Sequence, residues 1–150
     1  MLRLSKKADY ALMAMKHLAL AGNQPSSARE IASAYNIPVE LLAKVLQRLV
    51  RRGLLVSLQG TRGGYQLARG PRLISVADII HAIEGPVVVT ACSTEEGQCE
   101  QFSTCNVRDP LWKVRERILT ALGECTVAEL AVDGPAPVPE ATPAVFHTNA

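Results

Sequence analysis

At 150 residues, with 48% hydrophobic but only 4% aromatic residues, the chain has the length of one domain. Its Leu, Ala and Val content favours helices packed on helices. No run approaches the roughly 18 apolar residues of a membrane span. Asp9, Lys16 and His17 interrupt the apolar start, so it reads as a cytoplasmic amphipathic helix rather than a signal peptide. The net charge of +2 conceals a segregation. Residues 1–72 hold 12 Lys/Arg against 3 Asp/Glu, and residues 73–150 hold 4 against 11. A basic front half points to a polyanion, most simply nucleic acid.

Ser5 is placed to cap a first helix from about Lys6 to Ala21, with Ala8, Leu12, Met15 and Ala19 as its apolar stripe and Ala11 and Leu18 beside it. Ser27 and Glu30 read as a capping box for a short second helix closed near Asn36. Pro38 suits the first turn of a third helix running to Arg52 and stopped by Gly53. A short helix, a tight turn and a longer helix form a helix-turn-helix. Projected at about 100° per residue, the third helix gathers Leu41, Leu42, Val45, Leu46 and Leu49 on a core side. Glu40, Ala43, Lys44, Gln47 and Arg51 fall on the other, a row suited to base edges and phosphates in a major groove.

Taken alone, such a row is more often a solvated face. The next segment shifts the balance. Leu54–Leu58 and Tyr65–Ala68 read as strands joined by a glycine-rich tip carrying Thr61 and Arg62. A hairpin directly after a helix-turn-helix is a wing, and its arginine is placed to enter a minor groove or grip phosphate. The DNA-binding set is therefore Glu40, Lys44, Gln47, Arg48, Arg51, Thr61 and Arg62.

Residues 75–84, SVADIIHAIE, form another amphipathic helix ended by Gly85 and Pro86. His81 and His17 read as packing or surface histidines. An extended stretch, Val87–Thr90, leads into CSTEEGQCEQFSTC, where Cys92, Cys99 and Cys105 stand at C-x6-C-x5-C spacing on a polar loop. Crowded thiols on a loop point to a metal or iron–sulfur centre or to a disulfide. Thiolates suit zinc and iron–sulfur clusters, which usually want four ligands, so one more ligand must come from elsewhere. Asp109 and Pro110 look like a cap and first position for a long helix, Leu111 to about Leu122. Its seam of Leu111, Val114, Ile118 and Leu122 is a natural dimer contact. Cys125 reads as a buried or idle thiol before a capping box at Thr126–Glu129, and Pro, Ala and Thr dominate from Asp133 onward.

Together these elements make a mainly α chain with a small β-hairpin: a winged helix-turn-helix plus a long C-terminal dimerisation helix. The expected organisation is a DNA-binding domain over 1–85, a cysteine-rich loop over 86–107, a dimerisation helix and short C-terminal helix over 108–132, and a disordered tail over 133–150.

The opening LRLSKKADYAL, the helix-turn-helix, the GTRGGYQLAR wing, the SVADIIHAIEG helix, the three-cysteine loop and the Trp-bearing helix resemble the Rrf-type bacterial regulators. That family includes the Isc and Suf iron–sulfur assembly regulators and the nitric-oxide-sensing repressor. The resemblance covers residues 1–131, in order. It implies a homodimeric winged-helix transcription factor, a repressor in this reading, holding a 2Fe-2S or 4Fe-4S cluster on Cys92, Cys99 and Cys105. The opening segment is most similar to the Suf-type members, which implies control of cluster assembly.

The Isc-type pattern has a histidine three residues after the last cysteine. Here that position is Arg108, whose guanidinium cannot ligate. Nitric-oxide-sensing members use an aspartate on the first helix of the other subunit. Asp9 of the partner subunit matches it and is preferred, with Asp109 as the alternative. Other readings of the cysteines are a nitric-oxide or redox signal, or a zinc or thiol-switch site. An electron-transfer or cluster-transfer protein has no need of the basic wing. No phosphate-binding glycine loop or Ser/His/Asp arrangement suggests an enzyme, and no small-molecule substrate is expected.

Overall fold

The computed structural model describes residues 3–90 and 99–132. Cys92 and the expected tail, 133–150, lie outside the described residues.

Local sequence signals set most of the helix ends. In α1, Lys6–Ala21, Ser5 Oγ accepts the Ala8 N–H at 3.2 Å. The N–H of Ser5 itself donates to the Glu84 carboxylate at 2.6 Å, tying this end to the last residue of α4. The buried face of α1 is Ala8, Ala11, Ala14, Met15 and Leu18, whereas Leu12 and Ala19, expected in the stripe, are only partly buried. The rotation has a packing cause. A ridge of alanines lets α1 lie against both α3 and α4, and close approach decides which face turns inward.

The second helix, α2 (Ala28–Tyr35), carries the expected capping box. Ser27 Oγ accepts from the Glu30 N–H, and Glu30 accepts from the Ser27 N–H. Such a cap contributes about 1 kcal/mol. Asn36 closes the helix in the left-handed region, at φ 53°. Pro38 then caps α3 (Val39–Arg51) from one position outside it, and Arg52 rather than Gly53 is the C-cap. Leu42, Val45, Leu46 and Leu49 turn inward as the projection requires, while Leu41 sits at the margin. Each fully buried leucine is worth about 1.5–3 kcal/mol of transfer free energy.

The hairpin pairs β1 (Leu55–Leu58) with β2 (Gly64–Leu67), antiparallel, with Leu55 opposite Leu67 and Leu58 opposite Gly64. Both strands start one residue from the expected boundaries. After a short 3-10 turn over Pro71–Leu73, α4 (Val76–Glu84) opens on a second capping box, here Ser75 with Asp78. Residues 86–90 contain bends and no strand. The long helix α5 spans Arg108–Glu124 and starts earlier than expected. Asp109 does not cap it: Val107 takes that position without a side-chain hydrogen bond, and the Asp109 carboxylate is paired with Arg108 at 3.2 Å.

Two single bridges complete the fold. Ser26 pairs with Tyr65, through N–H donations of 3.1 and 2.8 Å, so the chain entering α2 is fastened to the wing. Ser75 pairs with Thr126: the Val76 N–H donates to the Cys125 carbonyl at 2.8 Å, and the Val127 N–H to the Ile74 carbonyl at 2.9 Å. The short helix α6 (Val127–Leu130) thereby returns to α1, and Val127 is fully buried in the same core as Leu46 and Ile79.

Candidate nucleic-acid interface and cysteine segment

Along α3, Glu40, Lys44, Gln47 and Arg51 are exposed, opposite the buried leucines. The turn before α3 is fixed by Ile37, which is buried and whose N–H donates to the Ala32 carbonyl at 2.9 Å. With that turn held, α3 turns its polar face to solvent. Ion pairs among the described residues involve Arg69, Arg108 and Arg115. Lys44, Arg51 and Arg62 have no carboxylate partner among the described residues, and cations in that position are available to phosphate.

Arg48 differs from the others. It belongs to the expected DNA-binding set and is exposed, yet its Nε donates to the Ala82 carbonyl of α4 at 3.0 Å. A projection of the helix gives the angle of a side chain but not its partner, so the sequence carried no sign of this tie.

The wing tip places Thr61 and Arg62 in solvent, on a turn in which the Gly63 N–H donates to the Gly60 carbonyl at 3.0 Å. Gly60 at φ +106° supplies the reversal. At the wing's base, Gln66 Nε2 donates to the Asn23 carbonyl. Together with the Ser26 bridge this gives the wing two attachments to the chain between α1 and α2. The wing is held relative to the helix-turn-helix rather than hanging from it. Neither attachment has a sequence signature, since a lone bridge needs no alternating pattern.

The cysteine segment meets α5 at a run of turns. The Phe102 N–H donates to the Cys99 carbonyl and the Thr104 N–H to the Gln101 carbonyl, each at 3.0 Å. Cys99 and Cys105 are half-buried free thiols, with Cys99 Sγ 3.7 Å from Gln101 Oε1. Arg108 is engaged with the same turns. It lies over the Phe102 ring at 4.6 Å, donates to the Phe102 carbonyl at 3.1 Å and pairs with Asp109. Asp109 is thus already partnered, and strongly exposed.

Asp9 is half-buried in the first turn of α1, beside Arg3, Leu4, Ser5 and Lys6. Among the described residues no three His, Cys, Asp or Glu side chains are gathered around one point. The donor chemistry still fits an iron–sulfur group: two unbridged thiols flanking one run of turns are the soft ligands such a group takes.

Cys125 stands apart. Burial pushes its thiol above the ordinary range, and the hydrogen bond to Glu129 and that carboxylate's charge push in the same direction. A raised thiol pKa means less thiolate, hence a poorer ligand and nucleophile. Cys125→Ala is therefore expected to leave iron content and DNA affinity as in the wild type, read by metal analysis and gel shift. Loss of iron in that variant would make Cys125 a ligand.

A family model described as Rrf2, iron-dependent transcriptional regulator, matches residues 4–133. The HTH-type transcriptional regulator IscR of Xenorhabdus nematophila is 34% identical over 131 residues, which is 86% of this chain and 79% of that protein. Among solved structures, CymR, described as the global cysteine regulator of B. subtilis, superposes with a TM-score of 0.69 at 32% identity, covering 87% of this chain and 97% of that one. IscR of T. potens gives a TM-score of 0.67 at 32% identity, covering 86% and 85%.

Proposed function

This chain belongs to the Rrf2 family of DNA-binding transcriptional regulators, and we propose that it is a homodimeric, cytoplasmic repressor whose operator affinity is set by an iron–sulfur cluster. The regulated genes in this reading are those of iron–sulfur cluster assembly. The observation that carries it is the pair of free thiols, Cys99 and Cys105, on the turns that lead directly into α5. Among the described residues no helix is long and apolar enough to cross a membrane.

Cys92, Cys99 and Cys105 would hold the cluster, with Asp9 of the partner subunit as the fourth ligand. The alternative carboxylate, Asp109, is already engaged with Arg108, which favours Asp9. When bound, the cluster would supply an iron centre reactive towards oxidants or nitric oxide. Asp9 lies one turn into the helix that packs on α3, so a ligand there would relate the cysteine segment of one protomer to the reading helix of the other. The spacing of the two reading helices must match half-sites about 34 Å apart or a multiple of it.

The dimer contact in this reading is α5. It has no buried residue within the chain, and Trp112 and Val114 are 46% and 44% exposed. A 17-residue helix so exposed gains little from its own chain. Val114→Asp is expected to sediment as a monomer and to bind operator weakly. A stable dimer in that variant would move the interface elsewhere.

The ligand assignment is tested with Asp9→Ala and Asp109→Ala proteins made without oxygen. Asp9→Ala should have an altered cluster spectrum and altered operator binding, and Asp109→Ala should have neither. Normal spectra and binding in both would remove the carboxylate from the ligand set. Wild-type protein that contains zinc, or neither iron nor sulfide, while binding its operator would leave the thiols as a zinc site or a thiol switch.

A further inference from the structure

A cleft on the flank of α3 gathers one cation of the reading row with two that lie outside it. Lys7 of α1 and Lys44 and Arg48 of α3 surround a floor of Leu41, Val45 and Ile83, around a cavity of about 170 Å³. Lys7, Lys44 and Arg48 are all exposed, and no ion pair among the described residues engages them. The Ala82 carbonyl takes the Arg48 Nε–H at 3.0 Å. That bond fixes the plane of the guanidinium and leaves its two terminal amino groups able to donate. A planar fork held in this way is suited to two phosphate oxygens, and an ammonium on each side adds point charge.

The position of the cleft says where that phosphate comes from. An α-helix with its side chains is about 10–12 Å across, and the major groove is about 12 Å wide. A reading helix therefore fills the groove, and residues about a quarter turn from its reading row meet the walls, which are phosphate. At about 100° per residue, Arg48 lies about 70° from the centre of the row formed by Glu40, Lys44, Gln47 and Arg51, on the side where α1 and α4 approach.

Resting on the DNA-binding reading above, we propose that Lys7, Lys44 and Arg48 clamp one backbone phosphate of the operator at the rim of the major groove, extending the DNA footprint onto α1. Lys44 then serves position rather than base identity. The orientation of the Arg48 fork depends on α4, whose last residues lead through Gly85 towards the cysteine segment.

The test uses full-length protein and a mixed-sequence DNA duplex, since phosphate contacts carry sequence-independent binding. Lys7→Ala and Arg48→Lys should each weaken binding on the order of three- to tenfold. Because both would serve the same phosphate, their combined loss should fall short of the sum. Replacing all three cations should lower the log–log salt slope by about 1. Arg62→Ala, on the wing, should weaken binding independently of Lys7→Ala. Thermal melts confirm that each variant is folded, and Lys7, exposed on α1, is the substitution least able to disturb the fold. If Lys7→Ala binds with wild-type affinity and slope while Arg62→Ala is impaired, the clamp is wrong and the DNA-binding reading stands. Strictly additive losses would also overturn the clamp. If wild-type protein ignores duplex DNA altogether, both fail.

Discussion

Protein isolated without oxygen is expected to be coloured and to contain iron and acid-labile sulfide, and Cys99→Ala or Cys105→Ala is expected to lose both. The effect is all-or-none in character because a cluster site counts its ligands: removing one soft donor from a set of four leaves iron exposed to solvent and exchange. Both side chains are only half-buried, so the substitutions remove little core packing and the variants should still fold. Operator affinity should change with the cluster, by a factor of about 5–150 if the coupling lies in the usual range of 1–3 kcal/mol. Metal and sulfide analysis with gel shifts on the same sample reads both. Wild-type material that stays colourless after anaerobic reconstitution, yet binds its operator normally, would end the cluster hypothesis.

Gly64→Ala is expected to cost most of the DNA affinity although residue 64 touches no proposed DNA contact. At φ +148° the backbone is in a region that side chains rarely adopt, a penalty of about 1–3 kcal/mol. An added Cβ would also lie 2.6 Å from the carbonyl carbon and oxygen of Ser26 and 2.9 Å from the Ser27 nitrogen, all of them backbone atoms. The neighbours cannot turn aside, so the Ser26–Tyr65 bridge must open. Ser27 is the N-cap of α2, which carries the disturbance into the helix-turn-helix. The measurements are a lower melting temperature and a weakened gel shift. A variant with wild-type melting and binding would show that the wing does not depend on this bridge.

The parts of the fold legible in the sequence are those with a local cause. Ser27 with Glu30, Asn36, and the leucine spacing of α3 each act within four residues, and each is found where the pattern places it apart from Leu41 at the margin. The family could be read from the wing and the cysteine spacing. What the sequence could not supply are contacts across long separations. Nothing near Arg48 in the sequence marks Ala82, 34 residues away, as the acceptor of its Nε–H. On α1 the expected Ala8, Ala11, Met15 and Leu18 are buried, while Leu12 and Ala19 are only partly buried and Ala14 joins the buried face. Of the proposed ligands, Cys99 and Cys105 flank the run of turns before α5 and Asp9 stands in the first turn of α1.

The return of Val127 to the head of the molecule has a practical outcome. A fragment cut after Gly85, where the helix-turn-helix and wing end in sequence, would lack the side chain that closes the underside of α1 and would open an apolar hole there. Leu- or Val-sized vacancies in a core typically cost about 1–5 kcal/mol, a large share of the stability of a small domain. The reading head is thus not a detachable module. The long helix is stitched to it at its far end, and truncation experiments should keep residues through 132.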